Sequence, residues 1–244
     1  MNSEQIKILG IKTDNLTLGQ TILEIEKMIA SNYCHQIVTV NPEFILKAQK
    51  DKKFFQILNN ASLAIPDGAG IVWAAKKQGI ELAERVSGAD LVEALGKRQK
   101  YSLFFLGGAP DIAKRASNKL MQKYPQLKIL GATDGGKITD TNLAHQKKLI
   151  GRINQLKPDI LLVALGAPKQ DKFISRWQNE LKCKVAIGVG GTFDYWAGTV
   201  RRAPKIFQQL SLEWLWRLIL EPRRLPRIFN AVIVFPLKII FARK

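Results

Sequence analysis

The sequence predicts an α/β fold: a mainly parallel sheet carrying helices on both faces, continued by a C-terminal helical appendage. Three observations lead there. Short apolar runs recur along the chain; most are followed by Gly, Pro or Asp and then by a helical stretch; and from Arg201 onward the composition changes to arginines interleaved with large apolar side chains. Runs apolar at every position suit strands buried on both faces, and alternation with helices suits parallel pairing.

The first elements are a short strand pair around Ile6–Ile11 and a helix from about Thr17 to Ser31, where Ile22, Ile25 and Ile29 recur at three- and four-residue spacing. Sheet strands are expected at Gln36–Val40, Leu63–Ile65, Ser102–Leu106, Lys128–Leu130, Ile160–Leu165 and Val185–Val189, with helices such as Asp111–Lys123 and Thr141–Leu156 between them. The arrangement is Rossmann-like. At 244 residues the chain fits one α/β domain, 1–200, and a basic amphipathic appendage, 201–244, because domains usually run to roughly 100–200 residues. It contains no internal repeat and no low-complexity linker.

Met1-Asn2-Ser3-Glu4-Gln5 carries no positive region followed by an apolar stretch, so the body is expected to stay in the cytoplasm. Cys34 and Cys183 lie in no C-x-x-C or Cys/His cluster, which argues against a disulfide framework and a zinc site and leaves them as semi-buried thiols. A formal charge of +18 predicts an anionic partner. The basic residues from Arg201 onward (Arg201, Arg202, Lys205, Arg217, Arg223, Arg224, Arg227, Lys238, Arg243 and Lys244) face only Glu213 and Glu221, and their apolar neighbours suit an anionic membrane surface better than a nucleic-acid groove.

In an open parallel sheet, ligands bind beyond the carboxyl ends of the strands, where helix starts present N–H groups to phosphate. Five turn segments are expected on that rim: Asn41-Pro42-Glu43, Pro66-Asp67-Gly68-Ala69-Gly70, Gly107-Gly108-Ala109-Pro110, Gly166-Ala167-Pro168-Lys169-Gln170 and Gly190-Gly191-Thr192-Phe193-Asp194. Any one alone reads as an ordinary βα turn; their convergence suggests a site.

Asp67 is the candidate general base, since it stands at a strand end with small residues after it, and a carboxylate there could take the proton of a sugar hydroxyl as it attacks. The plainer alternative is a turn former or helix cap. Thr39 and Asn41 offer neutral groups for sugar hydroxyls, against ordinary strand and cap roles. Arg85 is a candidate for pyrophosphate, Gln170 for the donor sugar if its loop faces the cleft, and Asp194 for ribose or uracil, each against a surface or capping role.

No Asp-x-Asp pair is present to hold a divalent ion against a diphosphate, so cationic side chains and helix N-termini would have to stabilise a departing nucleotide. No metal or other cofactor is expected. Gly131 to Lys137 has P-loop glycine and lysine spacing, but Ile138 replaces the magnesium-binding Ser/Thr. Gly188-Val189-Gly190-Gly191 departs from the dinucleotide fingerprint, and His35 and His145 have no triad context.

In the appendage, Phe207 through Leu220 reads as one helix, apolar in nearly every direction, ended by Pro222. Ile228–Phe241 is an apolar run interrupted by Pro236 and Lys238, shorter than the about twenty residues that a bilayer span needs but able to lie among headgroups. The alternative cover for these surfaces is a second copy, a homo-oligomer. If the appendage folds over the cleft, Arg217, Arg224 and Arg227 can contact a pyrophosphate in place of a metal.

Taken together, Thr39-Val40-Asn41-Pro42-Glu43, Pro66 to Gly70, Glu84-Arg85-Val86-Ser87-Gly88-Ala89-Asp90-Leu91, Phe105 to Gly108, Gly166 to Gln170, Gly188 to Asp194, Arg202-Ala203-Pro204 and Glu213-Trp214 through Arg224 resemble the WecG/TagA/CpsF glycosyltransferases, from about Ile6 to Arg227. The resemblance implies an inverting, metal-independent enzyme, peripheral on the cytoplasmic face of the cell membrane. It would move N-acetylmannosamine (ManNAc), or alternatively its uronic acid, from a UDP-sugar donor to GlcNAc on a polyprenyl diphosphate, as in teichoic acid linkage-unit synthesis. It further implies Asp67 as base, Thr39, Asn41, Arg85 and Gln170 lining the donor pocket, and the C-terminal arginines completing it. Asp171 stands where the family commonly has Glu. The rival classes are a non-catalytic basic membrane or RNA-binding protein and a nucleotide-dependent oxidoreductase. Aromatics concentrated in the tail argue against RNA, and no nucleic-acid partner is expected.

Overall fold

A computed structural model describes residues 5–210 and 212–242. The N-terminal expectation over Met1–Glu4 and the basic residues Arg243 and Lys244 lie outside the described residues.

The chain begins with a two-stranded antiparallel ribbon, β1 (Gln5–Ile8) and β2 (Ile11–Asp14). Helix α1 (Leu18–Ile29) opens with a capping box between Thr17 and Gln20, which satisfies two backbone N–H groups reciprocally. Then come β3 (His35–Val40), α2 (Pro42–Ala48), α3 (Lys52–Asn60), β4 (Leu63–Pro66), α4 (Ala69–Lys77), α5 (Gly88–Arg98), β5 (Leu103–Gly107) and α6 (Ile112–Lys123). The main body closes with β6 (Ile129–Thr133), α7 (Leu143–Leu156), β7 (Ile160–Ala164), α8 (Lys169–Trp177), β8 (Val185–Gly188) and α9 (Thr192–Ala197).

Among the described residues β3–β8 form a parallel six-stranded sheet of order β4-β3-β8-β7-β5-β6. The chain lays down β3 and β4 on one side, crosses to place β5 and β6 on the other, and fills the gap with β7 and β8. Alternate residues of each strand enter different cores, as a period of two requires. Ile37, Ile65, Phe105, Leu162 and Ile187 pack with α1, α5, α6 and α9 on one face. Val38, Val40 and Ala64 meet α2, α3 and α4 on the other, where Leu106, Val163 and Ala186 meet α7 and α8. Strand β6 runs further than the expected Lys128–Leu130; Gly131, Ala132 and Thr133 carry little apolar signal, and pairing with β5, through a register shift at Leu103/Phe104, defines it.

Cys34 and Cys183 are fully buried neighbours, with their sulfurs 3.5 Å apart, rather than separate semi-buried thiols. The two lie 149 residues apart, a proximity that spacing could not reveal.

The appendage departs from the single helix expected over Phe207–Leu220. It forms α10 (Lys205–Gln209) and, after a break, α11 (Glu213–Leu220). In an unbroken helix Phe207 and Trp216 would be about 13 Å apart along the axis; the break brings their rings to 5.5 Å and lets the Trp216 indole donate to the Arg201 carbonyl at 3.1 Å. After a 3₁₀ turn at Pro222–Arg224, α12 (Leu225–Phe229) passes through a π turn at Asn230–Val234 into α13 (Phe235–Phe241). Pro236 lacks an N–H and crowds the carbonyl four residues back, and the wider turn just before it makes room. Phe235 is fully buried in the core of β1, α2 and α4, so the appendage is pinned to the N-terminal side of the sheet. Phe229, Leu237, Ile240 and Phe241 remain exposed, and no helix among the described residues is long and apolar enough to cross a membrane.

Candidate active site

A crevice of about 450 Å³ opens beyond the carboxyl ends of β3, β4, β5, β7 and β8, with the appendage as its outer wall. Asp67 follows β4, and its backbone N–H donates to the Val40 carbonyl at 2.8 Å, which fixes the turn against β3. Gly68 then takes φ +92°, a conformation open to glycine, and starts α4 without a side-chain cap. A Cβ on Gly70 would lie 2.5 Å from Pro42, so the starts of α2 and α4 can meet only because that residue has no side chain. The Asp67 carboxyl lines the crevice, and no hydrogen bond or ion pair engages it.

Removal from water raises that carboxyl to about 7, against the downward pull of Arg85 and Arg202 and with a further upward push from Glu213 and Asp90. A carboxyl divided between its two protonation states near neutrality is suited to accept a proton.

The neighbouring polar groups are held in place by the fold. Thr39 donates its hydroxyl to the Gly188 carbonyl at 3.1 Å, joining β3 to β8. Asn41 caps α2, accepting from the Phe44 N–H at 3.0 Å, and lines the cavity. Asp194, in the first turn of α9, also lines the crevice; burial raises its pKa while Arg217 opposes the rise. Arg217, buried except for its rim, lies over the Tyr195 ring at 4.7 Å and pairs with Glu221 and, at 4.0 Å, with Asp194. Arg224 pairs with Glu221 at 3.0 Å, and Arg227 with Glu43 at 2.8 Å. All three arginines border the crevice, each neutralised by a carboxylate of the protein.

Two sequence-predicted residues occupy other positions. Gln170 does not face the cleft: it is 0% exposed, and its side-chain oxygen accepts from the Gly190 N–H at 3.0 Å, supporting the turn after β8 from beneath. Its place in the first turn of α8 directs the side chain into the sheet. Arg85 is not in the crevice wall; it binds Glu213 of α11, clamping the appendage to the loop before α5. Sequence reasoning passed over Ser87, Tyr195, Arg202 and Glu213 as site residues, although all four border the cavity. Arg202-Ala203-Pro204 and Glu213-Trp214 are among the motifs, but with the appendage folded over the cleft local pattern still does not show which of their side chains turn toward the rim. Among the described residues no group of three or more His, Cys, Asp or Glu side chains is placed to hold a metal ion.

A family model described as the glycosyl transferase WecG/TagA/CpsF family matches residues 6–244. The chain is 36% identical over 233 residues to the N-acetylglucosaminyldiphosphoundecaprenol N-acetyl-beta-D-mannosaminyltransferase of Bacillus subtilis (strain 168), covering 94% of this chain and 88% of that protein. It is 31% identical over 248 residues to the protein of that name from Staphylococcus aureus (strain MRSA252), covering 100% and 95%.

Proposed function

The chain belongs to the WecG/TagA/CpsF glycosyltransferase family, and from that premise we propose that it moves ManNAc from UDP-ManNAc to GlcNAc on a polyprenyl diphosphate, in teichoic acid linkage-unit synthesis or a related surface-polysaccharide pathway. One observation carries the chemistry: an unpaired carboxyl, raised to about 7, stands in a crevice ringed by Arg202, Arg217, Arg224 and Arg227.

In this reading an acceptor hydroxyl attacks the anomeric carbon from the face opposite the nucleotide and inverts it. Its proton passes to the Asp67 carboxylate as the new C–O bond forms. The bond from the anomeric carbon to the phosphate oxygen breaks, and the electron pair leaves with UDP. Arg217 and Arg224 exchange contacts with Asp194 and Glu221 for the diphosphate, offering fixed N–H donors where negative charge develops. Thr39 and Asn41 border the sugar, and Asp194 lies within reach of ribose or uracil. Arg85 and Gln170 act from behind the wall, by holding Glu213 and the Gly190 turn.

The exposed apolar residues of α12 and α13, with the surrounding cations, would bind the enzyme to the cytoplasmic face of an anionic membrane, each Lys or Arg contributing on the order of 1 kcal/mol. Flotation with anionic and neutral vesicles tests that attachment. Sedimentation with and without vesicles tests the alternative, a homo-oligomer that covers the same face.

The transfer is tested by incubating the protein with UDP-ManNAc and a lipid-linked GlcNAc diphosphate, without added metal, and following UDP release and product. Silence with both the ManNAc and the uronic acid donor in the presence of lipid would refute it.

A further inference from the structure

Next to the crevice lies a second cavity, of about 490 Å³, between α2, the turn after β7 and the C-terminal helical run. The two share Glu43, Gly166, Ala167 and Arg227, so they are adjoining rooms of one depression. Their linings differ. The second has an apolar floor of Leu46, Leu165, Ala167 and Val234, and a rim that carries Lys50, Lys169 and Lys238. Those lysines come from three separate elements, are exposed, and have no carboxylate partner among the described residues. Lys47, by contrast, is occupied by Glu43 at 2.7 Å and the Ala167 carbonyl at 2.9 Å.

We propose that this second cavity is the acceptor subsite: Lys50, Lys169 and Lys238 hold the diphosphate of the lipid-linked sugar, and the apolar floor takes its first isoprene units. This rests on the transfer reaction proposed above. A soluble nucleotide has no use for the floor, and a plain lipid tail has none for three convergent ammonium groups; a polyprenyl diphosphate matches both. Direction fits as well. On one side the shared residues lead toward Asp67, where the sugar must arrive. On the other, Lys238 lies on α13 one helical turn before exposed Phe241, on the same face of the helix, which carries the apolar surface outward. Two diphosphates are thereby sorted by different cations: arginines for the nucleotide that departs, lysines for the lipid carrier that stays bound through the reaction.

The test uses the triple variant Lys50→Gln, Lys169→Gln, Lys238→Gln in neutral detergent, where membrane charge plays no part, and a charge-matched control, Lys119→Gln, Lys147→Gln, Lys182→Gln. Farnesyl diphosphate binding is measured with UDP saturating. The wild type and the control are expected to bind it, and the triple variant about tenfold more weakly, the scale for losing one or two charge-assisted contacts, with UDP affinity unchanged in all three. In the transfer assay the triple variant should raise the acceptor KM about tenfold, while kcat and the donor KM move less than twofold.

Farnesyl diphosphate that competes with UDP, binds all three proteins equally or binds none of them would overturn the subsite. So would an equal loss in the control. An equal loss for inorganic pyrophosphate and farnesyl diphosphate, with no greater affinity for the latter, would mean an anion site without a lipid floor and would also sink the proposal. Lysine-dependent farnesyl diphosphate binding without transfer from any donor would uphold the subsite and refute the reaction.

Discussion

The Arg227 guanidinium straddles the Glu43 carboxylate, with Nε 3.1 and 3.0 Å from its two oxygens and Nη2 2.8 Å from one of them. The pair joins α12 to α2 over 184 residues of sequence and stands where the two cavities meet. Desolvation pushes the Glu43 carboxyl up, but hydrogen bonds from Arg227 and Lys47 outweigh it and leave the carboxyl below its ordinary value.

Glu43→Gln should therefore affect arrangement more than stability. Arg227 is half exposed, and such pairs are worth about 0–1 kcal/mol, so the melting temperature should fall by only a few degrees. The released arginine and Lys47 should alter both substrate KM values. A fall in stability well beyond that range, seen in urea unfolding, would assign the pair a structural role instead.

Asp67→Asn should lower kcat by about 10²–10⁴, the range for a positioned general base, and leave UDP affinity within a few-fold by calorimetry. Because the base must be ionised, wild-type kcat/KM should rise with pH through about 7 and level off above it. The neighbours set where that limb lies. Arg85→Gln removes a cation that lowers the Asp67 pKa and frees Glu213, which raises it, so the limb should move to higher pH; Glu213→Gln should move it to lower pH. A limb fixed in both variants would mean that another group is being titrated.

Asp171 sets a pH dependence of stability. It is fully buried, neither carboxyl oxygen has a partner in hydrogen-bond geometry, and burial raises its pKa from 3.8 to about 8. The folded protein thus retains a proton that the unfolded chain releases as pH rises above 3.8, so the stability present at low pH is lost up to about pH 8 and is level beyond. Between pH 5 and 8 the wild type should lose about 2–4 kcal/mol that Asp171→Asn does not. Denaturant titrations of both proteins across that interval check it, and parallel curves would place the wild-type carboxylate in a solvated position.

Phe235→Ala should separate appendage docking from core stability. Its ring is fully enclosed by the β1, α2 and α4 core, and truncating a buried Phe costs about 3–5 kcal/mol. Within the appendage it anchors α12 and α13, while α10 and α11 keep the Arg85–Glu213 and Trp216–Arg201 contacts, so limited proteolysis should become fast beyond Pro222 while the sheet's main unfolding transition hardly moves. A matching drop in that main transition would make the appendage part of one cooperative unit with the sheet.

What the sequence determined by itself was the local pattern. Apolar runs specify strands buried on both faces, the punctuation between them specifies crossovers, and those two facts put Asp67, Asn41 and Asp194 on one rim. The change in composition at Arg201 likewise marked off the appendage. Such features are legible because periodicity and turn chemistry are properties of neighbouring residues. Tertiary structure alone decided where side chains from distant segments point. Gln170 lies under the Gly190 turn because the α8 start packs into the sheet; Arg85 meets Glu213, and Phe235 the N-terminal core, because the appendage folds back across the rim. Cys34 and Cys183 become neighbours only through the pairing of β3 with β8. Each of those contacts depends on packing between elements far apart in the chain, and one strand or helix carries no record of what it will be packed against.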